Sequence, residues 1–81
     1  MTTVRGGASL GTGLAITGLG LIPFWDQYFA LGGCHTPDEL QTYLNDESAW
    51  TAHEHDAAAH ALNEYCTTLG LGYPIAYANE L

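Results

Sequence analysis

Residues 6–25, GGASLGTGLAITGLGLIPFW, contain no ionisable side chain, and this run limits what the chain can fold into more than any other part of its 81 residues. Within it, Ala8 to Trp25 gives eighteen consecutive uncharged residues, the lower end of the length that crosses a bilayer core as a helix. The flanks fit a span: Arg5 stands on one side, and Phe24, Trp25, Tyr28 and Phe29 cluster at the other as interfacial aromatics do. Six glycines fall within residues 6–20. In water each costs a helix roughly 1 kcal/mol relative to alanine; in lipid, where unpaired backbone groups are far more costly, helix is the default even for such a segment. The run reads as a Gly-rich apolar helix, a candidate transmembrane segment that Pro23 kinks or ends.

At helical periodicity Gly7, Gly11, Ala15 and Gly18 fall in one narrow stripe, with Gly13 and Gly20 (beside Ser9) on the opposite side. Small residues so spaced let helices approach closely, and in membranes that contact drives association. The two stripes predict a helix wedged between neighbours, either other membrane helices or copies of itself. Arg5, the only cation, would keep the N-terminus cytoplasmic in a single-pass arrangement. Two other readings stand beside this one. A signal peptide would have an apolar core like Leu14–Ile22, but no A-x-A site follows it. A soluble, cytoplasmic chain would use the glycines in loops and bury a strand such as Leu19–Phe24 against later helices.

Charge divides the chain. Residues 38–81 hold eight of the nine carboxylates and three of the four histidines, and the turn-rich step Gly32-Gly33-Cys34-His35 separates the two compositions. We assign residues 1–31 to an apolar Gly-rich segment and residues 32–81 to an acidic helical segment with an aromatic tail. With no lysine, one arginine and a formal net charge of −8, the chain cannot neutralise a row of phosphates, which excludes sequence-independent nucleic-acid binding. A polybasic lipid-binding patch is excluded on the same ground.

The acidic segment is well punctuated. Thr36-Pro37-Asp38-Glu39 combines an N-cap threonine, a proline at the first helical position and a glutamate placed to close a capping box. Leu40, Tyr43 and Leu44 then mark a short helix ending near Asn45. Asn45-Asp46-Glu47-Ser48 reads as a second start, for a longer amphipathic helix from about Glu47 to Leu69 with Gly70 as left-handed C-cap and Leu71 folding back. Trp50, Ala58, Ala61, Leu62, Tyr65 and Leu69 share one side of it. The expected fold is all-α: the apolar helix, a short helix and this longer one. The tail from Gly72 to Ala78 would lie back across the helices or serve as an extended docking segment.

Few groups point to chemistry. His53, Asp56, His60 and Glu64 share the polar side of the long helix at spacings that offer pairs of nitrogen and oxygen ligands, a weak candidate zinc site. Ion-paired, solvated side chains are the commoner meaning of such a pattern. His55 points toward the apolar edge, and His53-Glu54-His55 lacks the H-E-x-x-H spacing of zinc proteases. Cys34 and Cys66 are candidates for a disulfide if the segment faces an oxidising exterior. A zinc site of Cys34, His35, Cys66 and His55 has only generic spacing in its favour, and two unpaired buried thiols are the simplest alternative. Gly11-x-Gly13 and Gly18-x-Gly20 lack the third glycine and the lysine of phosphate loops, and nothing argues for an enzyme.

Absent lysine, acidic excess and abundant Ala and Thr resemble the composition of proteins from salt-loving archaea, a resemblance that covers no motif. Salt would screen the self-repulsion of the acidic half. The expected function is that of a small membrane-associated structural or accessory protein. It would pack through its glycine-grooved helix and dock its acidic segment on a larger assembly, such as a respiratory or transport complex or a virion. The alternative is a soluble small helical binding domain whose Gly-rich N-terminus packs into its own core or a dimer partner, with zinc on the long helix as an optional addition.

Overall fold

The computed structural model describes residues 3–70 and 75–80, and the fold is all-α: α1 (Gly7–Thr17), α2 (Leu21–Ala30), α3 (Pro37–Leu44) and α4 (Ala52–Leu69). One two-stranded antiparallel pairing, β1 (Thr3–Val4) with β2 (Trp50–Thr51), and a 3-10 turn at Ala78–Glu80 complete it. Leu71 and Gly72–Pro74, on which part of the expectation for the tail rested, lie outside the described residues.

The apolar run is not one helix. It breaks at Thr17-Gly18-Leu19-Gly20, and α1 and α2 meet at 119°. Gly18 adopts left-handed geometry at φ 71° and its N–H closes on Leu14 O, a conformation that side-chain-bearing residues resist. The Thr17 hydroxyl donates to Leu14 O and accepts from Leu19 N–H, which fastens the corner. Gly20 is the extended N-cap of α2, and Pro23 sits in the first turn of that helix, where its missing N–H costs nothing. The expected single helix is therefore corrected, as is the alternative strand at Leu19–Phe24. No single helix among the described residues is long and apolar enough to cross a membrane, and only the bent pair passes on length and composition together.

The small-residue stripes serve the chain's own interior. Gly7 lies so close to α3 that an added Cβ would stand 1.7 Å from Tyr43 O, and at Gly11 one would stand 3.0 Å from Leu44 O. On the other side of α1, Gly13 makes room for Ile75 and Leu62, where an added Cβ would come within 2.4 Å and 3.1 Å. Ala15 is exposed, and Gly18 and Gly20 belong to the corner rather than to a packing face.

At the centre stands α4, packed by α1, α2, both strands and the 3-10 turn. Ala57, Ala58, Ala59 and Ala61 are all buried; short side chains on several sides of one helix let neighbours close in from each. Leu10, Phe24, Leu40, Tyr43, Leu62 and Ile75 fill the core between them.

Punctuation is as expected at two places and different at a third. The Thr36/Glu39 capping box forms in full, and Gly70 ends α4 at φ 74°. The start of α4 differs. Asn45-Asp46-Glu47 closes α3 instead of opening a helix: Asp46 takes φ 62°, and the N–H groups of Asp46 and Glu47 return to Tyr43 O and Thr42 O. Trp50 and Thr51 pair with Val4 and Thr3, and Thr51 is the true N-cap, accepting from Glu54 N–H.

These contacts separate two kinds of glycine. Gly7→Ala should cost about 3 kcal/mol or prevent folding, because backbone must move. Gly18→Ala, with no neighbour within 4 Å, should cost only about 1 kcal/mol through its backbone conformation. Urea unfolding of the two variants measures both.

Candidate functional site

The aromatic centre of the fold is Trp50, held by β2 and 3% exposed. The rings of His35 and Tyr43 each stack on it at 4.2 Å, and Tyr28 stacks at 5.4 Å. Two buried hydrogen-bond chains start from these tyrosines.

In the first, Tyr28 donates its hydroxyl proton to Glu54 Oε1, and the same hydroxyl oxygen accepts from Cys34 N–H (3.1 Å) and His35 N–H (2.9 Å). Cys34 N–H also donates to Glu54 Oε1 at 2.9 Å. Gly33 makes the turn possible: a Cβ there would lie 2.3–2.5 Å from carbons of the Tyr28 ring. Burial pushes the Glu54 carboxyl up, but the bonds from Tyr28 and Cys34 and the nearby His35 and His53 outweigh it, and the group rests below the usual carboxylate range. Burial and the Glu54 carboxylate raise the Tyr28 phenol well above its ordinary value.

In the second chain, Gly6 N–H donates to Tyr43 Oη at 3.1 Å, and Tyr43 Oη lies 2.7 Å from His55 Nδ1. His55 Nε2 lies 2.9 Å from Ala76 O. A carbonyl only accepts, which assigns the proton to Nε2 and makes Nδ1 the acceptor for the Tyr43 hydroxyl. His55 is fully buried.

Both chains tie side chains to backbone. Each tyrosine hydroxyl donates to a side chain and accepts backbone N–H, so these groups are occupied in holding the fold. The pocket beside them, about 380 Å³ and open, is lined by His35, Asp38, Glu39, Thr42, Ser48, Ala49 and Trp50. Of these Glu39 is already engaged, accepting from Thr36 N–H and lying 3.5 Å from His35 Nδ1.

The sequence-derived metal candidates do not converge. His53 is exposed. Asp56 accepts from Ala78 N–H at 2.8 Å and so holds the tail. His60 pairs with Glu64 at 3.1 Å and faces the Tyr77 hydroxyl at 3.2 Å. Among the described residues no group of three or more His, Cys, Asp or Glu side chains could hold a metal ion. The disulfide is likewise not formed: Cys34 is exposed and Cys66 buried, each a free thiol. The alternative Cys34, His35, Cys66 and His55 set does not come together among the described residues, and both ring nitrogens of His55 are engaged.

Sequence reasoning missed Glu54, Tyr28 and Asn63. Thr51-x-x-Glu54 was the available signal for the first, since it repeats the capping-box pattern of Thr36-x-x-Glu39. Asn63 accepts from Ile75 N–H and donates to Ile75 O, so the described part of the tail, from Ile75 on, lies back across α4.

The outer side of α2 keeps two large apolar side chains exposed. On α2, Phe24 and Tyr28 are buried, while Ile22 (53% exposed) and Phe29 (56% exposed) lie on the outer side with half-buried Trp25. Trp25 and Phe29 stack at 5.1 Å, and Trp25 Nε1–H donates to His35 O. This fixes an apolar ridge in place. No known protein family, no curated protein and no solved structure matches the chain.

The Glu54 network has a pH signature. Because the folded Glu54 titrates below its unfolded value, its contribution is present above about pH 4.3 and is lost as pH falls through the folded value. Glu54→Gln should cost about 1–3 kcal/mol at pH 7, and the gap between the two proteins should narrow as urea unfolding is repeated from pH 6 down to pH 3. For Tyr28 the shift is upward, so its contribution is present below about pH 10 and is lost as pH rises above it. Tyr28→Phe removes that alkaline loss.

Proposed function

We propose that the protein is a small, non-catalytic accessory protein that docks on a larger assembly, and that its docking element is the outer face of α2. The observation that carries this reading is the pairing of two faces on one ten-residue helix: Phe24 and Tyr28 fully buried, Ile22 and Phe29 more than half exposed. Scattered apolar side chains on a surface mean little, but Ile22 and Phe29 share one side of α2 with half-buried Trp25, and grouped exposed apolar side chains mark interaction sites. The glycine grooves expected to carry association are filled by α3, Leu62 and Ile75 instead. Asp38 and Glu39 of α3 and Glu64 of α4 are exposed, so an assembly meets an acidic surface there.

Membrane association is the second reading. It is favoured by the bent α1–α2 pair, which has the length and composition of a broken span. Insertion would require α1 to leave the cavities where Gly7 and Gly13 meet α3 and α4.

The double variant Ile22→Ser/Phe29→Ser should keep the thermal midpoint within a few degrees, since neither side chain fills the core. Size-exclusion chromatography of native extracts at high salt should then show the wild-type chain in a large complex and the variant as a monomer. Co-elution of the variant with the complex would overturn the reading. Flotation of the wild-type chain with vesicles, in place of complex formation, would favour the membrane.

A further inference from the structure

We infer that His55 is a pH-operated clasp: its neutral ring holds the Gly6 segment and the tail Ile75–Glu80 against the fold, and a second proton on the ring releases both. Donors and acceptors around this imidazole match only in the neutral form. Nε2–H meets Ala76 O at 2.9 Å, and Nδ1 takes the Tyr43 hydroxyl proton at 2.7 Å. A second proton lands on Nδ1 and turns that acceptor into a donor. Tyr43 Oη already accepts from Gly6 N–H at 3.1 Å, so two N–H groups then point at it, and the hydroxyl's own proton loses its acceptor. Burial holds the Tyr43 phenol above its ordinary value, so it does not ionise to relieve the conflict.

The charged ring also lacks a counter-ion. His55 is fully buried, where a cation without a carboxylate partner is strongly disfavoured. On α4 itself Glu54 is turned to Tyr28 and Cys34, Asp56 to Ala78 N–H, and His53 is exposed. In the tail Glu80 accepts from Tyr77 N–H. Asp46 after α3, Asp26 on α2 and Arg5 before α1 are exposed, and α1, β1 and β2 contain no ionisable side chain. The ion pairs among the described residues join His35 to Glu39 and His60 to Glu64, and none involves His55. The open form therefore takes up a proton that the closed form rejects. By linkage the closed form gains as pH rises and loses ground as pH falls through the range in which an imidazole charges. Release moves Ile75 from its place against Gly13 and frees Asn63, which reads both the N–H and the carbonyl of Ile75. Acid thus uncovers an apolar slot with an amide at its edge.

Nitrogen-15 NMR of the full chain at high salt, from about pH 7.5 down to about pH 4.5, follows the ring and both segments together. His55 should start in the Nε2–H form. The amide signals of Gly6, Ile75 and Ala78 should then leave their folded positions in one step with protonation of the ring, while Phe24 and Leu62 keep theirs. In His55→Gln, whose side-chain amide offers an acceptor to Tyr43 and a donor to Ala76, that step should disappear. His60→Gln, which removes the other imidazole touching the tail at the Tyr77 hydroxyl, should leave the step in place, and so should Asp56→Asn. Gly6 and Ile75 signals that hold their folded positions through the whole range, with the ring charged or not, would overturn the clasp, and that outcome needs no variant to fold. Persistence of the step in folded His55→Gln, or its loss in His60→Gln or Asp56→Asn, would assign the release to another group. Loss of the Phe24 and Leu62 signals in the same step would replace local release with acid unfolding of the whole chain.

Discussion

Everything in this fold is arranged about the indole of Trp50. Its stacking on His35, Tyr43 and Tyr28 joins the segment after α2, helix α3 and helix α2 to a residue that itself pairs with Val4 in β1. Stacked aromatic pairs add about 0.5–1.5 kcal/mol each beyond burial. More important here is geometry. Flat rings at fixed spacing set where Tyr28 and Tyr43 present their hydroxyls, and both buried hydrogen-bond chains follow from that placement. A small domain has little core to spare, so one large ring shared by four segments replaces several separate contacts.

What the amino-acid sequence disclosed depended on whether the signal was local. The α3 capping box and the glycine end of α4 were readable because their donors and acceptors lie within four residues. The apolar run misled for the opposite reason. Its glycines permit both a close-packed span and a corner, and only long-range contacts decide: Tyr43 O against Gly7, and Ile75 and Leu62 against Gly13, reward the bent form. On α2 the apolar residues were visible, but which of Phe24, Trp25, Tyr28 and Phe29 turn inward depends on the packing against α4. For Glu54 only the Thr51-x-x-Glu54 spacing was local; its burial depends on Tyr28, twenty-six positions away, and a charged residue in a helix's first turn normally reads as a dipole partner.

The two halves of the chain divide labour differently from what their compositions imply. The neutral half supplies both the corner and the outward ridge, and the acidic half supplies the central helix on which everything is laid. Alanine makes this possible. Because α4 is thin along Ala57–Ala61, helices from the apolar half reach it closely while its carboxylates stay at the rim or, like Asp56, are used to hold backbone.

The chain through Tyr43 and His55 has a consequence for how the molecule opens. It runs from the amide of Gly6 to the carbonyl of Ala76, so segments near both ends of the chain are tied to one buried imidazole. Fraying of either segment strands a buried polar group belonging to the other's support. Terminal segments ordinarily exchange their amide hydrogens first and independently. With the Gly6 and Ala76 segments tied to one imidazole, their opening should be coupled rather than independent.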